Sequence, residues 1–82
     1  MGRYDIIFIP KNKNLNGILL EFKIAKTGKE LLNKANEALT QIKDKQYFQV
    51  FKQREVNNIL AIGMAFCKKK LELVHEKITV KF

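Results

Sequence analysis

Among its 82 residues the chain has one cysteine, Cys67, and one histidine, His75. An internal disulfide and a cysteine-based zinc cluster are excluded, and a reducing, cytoplasmic setting is expected. A thiol nucleophile would have only His75 as its base, and His75 has no second histidine with which to build a metal set. Both residues read better as structural. No apolar run is long enough to span a bilayer, and Met1-Gly2-Arg3-Tyr4-Asp5 is polar, so neither a membrane span nor a secretory signal is expected. Internal repeats and linkers are also lacking. Acidic residues are scarce, 8 against 16 Lys and Arg, and the formal charge is +8. That balance favours a polyanionic partner, nucleic acid foremost.

What is present fits a single small domain over residues 1–82, with room for one core. Arg3 to Ile9 reads as a strand that Pro10 ends. An Asn-rich turn, Lys11 to Gly17, leads into a second strand, Ile18 to Ala25, and the two should pair as an antiparallel hairpin. Thr27 and Glu30 have capping-box spacing ahead of a helix from about Lys29 to Lys45. Leu31, Leu32, Ala35, Ala38, Leu39 and Ile42 form its apolar stripe, flanked by Lys34, Glu37 and Gln41. A short helix around Tyr47 to Phe51 precedes Ile59 to Phe66, which is apolar on both faces and reads as a central strand covered on both sides. Strand, crossover helix and strand predict a right-handed βαβ unit. After a basic turn, Cys67 to Lys70, a last strand changes apolar parity between Leu71/Leu73 and Ile78/Val80/Phe82, which predicts a bulge or break near His75-Glu76. The fold class is α/β (α+β): a mixed sheet of antiparallel hairpin, crossover helix and parallel strand.

The chemistry concentrates in the second strand. Ile18, Leu20, Phe22 and Ile24 share one face; Glu21 and Lys23 share the other, with Cα atoms about 7 Å apart. Charges on an apolar strand are costly unless paired, metal-bound or facing a wet cleft. Hairpin pairing can bring Asp5 to them, but the turn is too long to settle the register. Two readings follow. Asp5 and Glu21 could supply oxygen ligands to a hard cation such as Mg²⁺, with Lys23 beside it. Alternatively the three form an ion pair across the hairpin, and the residues alone weigh toward that.

Gly2-Arg3-Tyr4-Asp5-Ile6-Ile7, Ile18-Leu19-Leu20-Glu21-Phe22-Lys23, Ala38-Leu39-Thr40-Gln41-Ile42 with Tyr47, and Ile62-Gly63-Met64-Ala65-Phe66 before basic residues resemble, in order and spacing, the PD-(D/E)XK nuclease superfamily. More narrowly, they resemble the nuclease-like domains found behind AAA-ATPase-like domains in bacterial proteins. The resemblance covers nearly the whole chain. It implies a restriction-endonuclease-like core and Mg²⁺- or Mn²⁺-dependent hydrolysis of DNA. It also implies site roles. Asp5 and Glu21 would be metal ligands, with the Phe22 carbonyl as a further one. Lys23 would be the catalytic lysine, Gln41 would position the site, and Tyr47 would be its companion. Apart from the resemblance, Lys11, Lys13, Lys26 and Lys29 add a basic rim around the strand ends, and Lys68, Lys69 and Lys70, read as a solvated turn, could also touch phosphates. Members normally have a helix and a strand before the Asp strand, whereas this chain starts almost at Asp5. A core lacking that helix is expected, with one sheet face left for an ATPase-like partner domain or for a second copy in a homodimer. Two alternatives stand beside the nuclease: a non-catalytic module that binds nucleic acid or protein, and an inactive remnant that oligomerises.

Overall fold

The computed structural model describes residues 3–44 and 48–80. Strand β1 (Arg3–Phe8) turns back into β2 (Gly17–Ile24). A 3-10 turn (Gly28–Glu30) leads into helix α1 (Leu31–Asp44), followed by the short α2 (Phe48–Gln53). β3 (Asn58–Cys67) and β4 (Lys70–Thr79) close the chain. The four strands form one sheet in the order β1-β2-β3-β4. β1/β2 and β3/β4 are antiparallel and β2/β3 is parallel. The mixed sheet, hairpin and crossover helix match the expected class and suit a restriction-endonuclease-like core.

Small residues set how α1 sits. Ala35 and Ala38 on the helix and Ala61 and Ala65 on β3 are all fully buried. A Cβ on Gly63 would strike the backbone oxygen of Ala35 and lie 2.6 Å from the backbone nitrogen of Leu39. Helix backbone thus rests directly on β3, and α1 also packs on β2 and β4. Leu19, Ile42, Phe51, Val56, Ile59 and Ala61 fill the larger core under the two helices. α2 ends with Glu55 at φ 59°, and the Val56 N–H donates to the Phe51 carbonyl, a left-handed helix stop. That stop buries both Phe51 and Val56.

Three expectations are corrected. The Thr27–Glu30 capping box does not form: the Thr27 side chain makes no cap bond, and the Glu30 N–H instead donates to the Thr27 carbonyl, opening a 3-10 turn. There is no bulge at His75-Glu76, because β4 keeps register with β3 from Lys70 to Thr79. The parity change arises because the two ends of this edge strand use different faces. Val74 and Ile78 pack into the cores under the helices. Leu71 and Leu73 pair with Phe66 and Met64 on the far face. Finally, β3 is not covered on both sides. Among the described residues the helices lie on one face. The other carries Ile6, Phe8, Ile24, Leu71 and Leu73, all substantially exposed.

Candidate active site

β1 and β2 pair so that Asp5 lies directly opposite Glu21 and Arg3 opposite Lys23. Cross-strand partners share a face, so the side chains of Asp5, Glu21 and Lys23 all stand on the side of the sheet that α1 covers. The helix reaches β2 but leaves Asp5, on the edge strand, exposed, whereas Glu21 is fully buried. The site therefore has α1 on one flank and the exposed edge strand β1 on the other.

α1 delivers two polar side chains one turn apart onto β2. With the Gln41 amide oriented to satisfy both neighbours, its nitrogen donates to Glu21 Oε2 at 2.7 Å and its oxygen accepts from Lys23 Nζ at 3.0 Å. The same Lys23 ammonium donates to Glu37 Oε1 at 3.2 Å, and Lys34 Nζ stands 3.5 Å from that oxygen. The Lys23 hydrogen bond, with the Lys34 charge behind it, holds the Glu37 carboxyl below its ordinary value of 4.5. Glu21, Gln41, Lys23 and Glu37 therefore form one chain of polar contacts that fixes the lysine between a buried carboxylate and a half-exposed one.

A lowered folded-state pKa means that the stabilisation from Glu37 is present above its unfolded value and is lost as pH falls through the folded one. We expect Glu37→Gln to lower the melting temperature modestly at neutral pH and to converge on the wild type in acid, so that the acid limb below about pH 4.5 is flatter. An acid limb identical to the wild type would contradict the Lys23–Glu37 pairing.

The other sequence-derived candidates are spread more widely. The Phe22 side chain is on the opposite face, with its ring 5.4 Å from that of Phe66. Lys26 and Lys29 follow the carboxyl end of β2, three and six residues after Lys23. Lys11 and Lys13 sit in the β1–β2 loop, at the opposite end of that strand, and Lys13 is paired with Glu55 at 3.1 Å. Tyr47 lies outside the described residues. The sequence placed Glu37 beside Gln41 on the helix flank but gave it no role at the site. The available signal was its one-turn spacing from Gln41 on the flank of the apolar stripe.

The donor set can be tested against a divalent cation. No group of three or more His, Cys, Asp or Glu side chains suited to a metal occurs among the described residues. Mg²⁺, however, is commonly held by one or two carboxylates, with waters and substrate phosphates completing its shell. Directly opposed Asp5 and Glu21, one exposed and one buried, fit that mode, whereas zinc or another soft metal is not suited.

Searches of curated proteins and of solved structures returned no match. A family model described as the PD-(D/E)XK nuclease superfamily matches residues 1–76. That span takes in every strand and helix described above save the last residues of β4. By that match over most of its length, the chain belongs to the PD-(D/E)XK nuclease superfamily.

Proposed function

We propose that this domain is a metal-dependent nuclease that hydrolyses phosphodiester bonds in DNA. One observation carries the reading: Asp5 faces Glu21 across the hairpin, and Gln41 ties Glu21 to Lys23. Asp5 and Glu21 would hold Mg²⁺ or Mn²⁺, with the Phe22 carbonyl as a further oxygen donor. A cation there would supply Lewis acidity to the phosphate and a more acidic water. Lys23, oriented by Gln41 and Glu37, donates toward charge developing on the phosphate oxygens. Lys26 and Lys29 contact the backbone beyond the site without reading sequence. The test is cleavage of plasmid and linear DNA with Mg²⁺ or Mn²⁺. Loss of cleavage with chelator is expected, and cleavage indifferent to chelator or to Lys23→Ala would overturn the reading.

A second reading adds to the first. The uncovered sheet face, with Ile6, Phe8, Ile24, Leu71 and Leu73 exposed, supports pairing of two copies through it. Four strands at about 4.8 Å spacing and about 23 Å of strand length give roughly 450 Å² per copy. The total, roughly 900 Å², falls just short of the range of stable interfaces, so a weak, concentration-dependent dimer is expected. Sedimentation should show monomer at low concentration and dimer at high concentration. Phe8→Lys should keep the chain monomeric throughout; an unchanged dimer would place the contact elsewhere.

A further inference from the structure

The carboxyl ends of the parallel strands β2 and β3 open onto a hollow of about 580 Å³. Its lining is Lys26, Thr27 and Gly28 after β2 and Cys67, Lys68, Lys69 and Lys70 at the β3–β4 turn. Four of these residues are lysines and none is acidic. Four lysines meet at one concavity whose lining holds no carboxylate, so a bound anion would find only positive charge there. Lys70 Nζ lies 3.8 Å from where a Gly28 Cβ would stand, so its charge is folded over the Gly28 backbone. The turn itself is built against local preference. Lys68 holds φ 56°, a backbone conformation that glycine or asparagine adopts more readily in a two-residue hairpin. Lysines therefore occupy the turn at the expense of turn geometry.

Position links this hollow to the site. Lys26 also lines a neighbouring groove of about 410 Å³ together with Lys34 and Glu37, and Glu37 is the partner of Lys23. Along extended chain Lys26 lies about 10 Å beyond Lys23. The groove also carries Glu30, so its two lysines are matched by two carboxylates, and Lys26 is the residue shared between it and the Lys68–Lys70 hollow.

We infer that the hollow is an anchoring subsite for a backbone phosphate of nucleic acid, next to the one presented to Asp5, Glu21 and Lys23. Lys26, Lys68, Lys69 and Lys70 engage that phosphate as point charges, giving affinity and register without sequence preference. The choice of nucleic acid as ligand rests on the nuclease reading; the convergence of charge does not.

The experiment is binding of a fluorescent duplex oligonucleotide without divalent metal, measured by anisotropy across a salt series. The variant is Lys68→Gly with Lys69→Ser, and Lys52→Ser with Lys77→Ser is the charge-matched control. Lys68→Gly relieves the positive φ, so the melting temperature should hold or rise and any affinity loss is not unfolding. The turn variant should bind about 10-fold more weakly at low salt, with a salt slope reduced by about two, while the control moves far less. Equal effects in variant and control would overturn the subsite. So would turn-dependent binding of pyrophosphate that is tighter than that of the duplex, which would mark a small-molecule site. Turn-dependent binding to phosphatidylserine vesicles with unchanged DNA affinity would do the same. A slope change in a protein that cleaves nothing keeps the subsite and removes only the hydrolase; cleavage without a slope change does the reverse.

Discussion

Lys23→Ala should lower metal-dependent DNA cleavage by about 10²-fold or more, with the loss in kcat rather than KM. The ammonium it removes is held by Gln41 at 3.0 Å and by Glu37 at 3.2 Å, so its direction is set before substrate arrives. A preoriented cation acts on charge that appears only in the transition state, and for that reason ground-state binding is spared. The Lys23 side chain is largely buried, so some loss of stability is expected, but the apolar core residues beneath α1 are untouched and the fold should survive. Lys23→Arg should rescue little, because a planar guanidinium cannot occupy the narrow position between a carboxylate and an amide. Circular dichroism and melting curves on the same preparations separate loss of chemistry from loss of structure. A Lys23→Ala protein that cleaves at the wild-type rate would remove the lysine from the mechanism.

Gly63→Ala should cost about 2 kcal/mol, and Gly63→Val more, because the added carbon meets helix backbone rather than a side chain that can rotate away. For a chain of this size that is a fall of roughly 10 °C in melting temperature. The effect should reach the site. Leu39, whose backbone would be displaced, lies two residues before Gln41 and two after Glu37. Lifting α1 off β3 therefore withdraws both partners of Lys23 together. Activity should fall even at temperatures where Gly63→Ala remains folded. A Gly63→Ala protein as stable as the wild type would mean that α1 does not sit on β3 as described.

The order of elements was legible because each periodicity is local. Alternation marked β2, the three- and four-residue stripe marked α1, and Pro10 and the Asn-rich turn marked the hairpin. Local pattern is silent where the partner is distant. Alternation in β2 separates Ile18, Leu20, Phe22 and Ile24 from Glu21 and Lys23 but does not say which face the helix covers. In the fold the charged side lies under α1, and Ile24 on the apolar side is exposed. That arrangement is possible because α1 brings polar partners, Gln41 and Glu37, down onto Glu21 and Lys23. That contact depends on the close crossing at Gly63, which no spacing within either element reveals. The apposition of Asp5 and Glu21 was likewise hidden, because the Lys11–Gly17 turn is too long to set a register. The lysines themselves were legible, Lys26 in a basic rim and Lys68–Lys70 as a basic turn, but not their meeting in one hollow, which arises because β2 and β3 run parallel and end together.

The decisive measurement is nicking and linearisation of supercoiled plasmid by the wild-type chain in Mn²⁺, with Glu21→Gln and chelator run in parallel. Glu21→Gln keeps the size of the buried side chain and its reach to Gln41 while removing the negative charge. Cleavage by the wild type that disappears with chelator and with Glu21→Gln is the expected result. Cleavage that persists at full rate in a folded Glu21→Gln protein, or a wild type that leaves the plasmid intact, would contradict a hydrolytic centre built on this pair of strands.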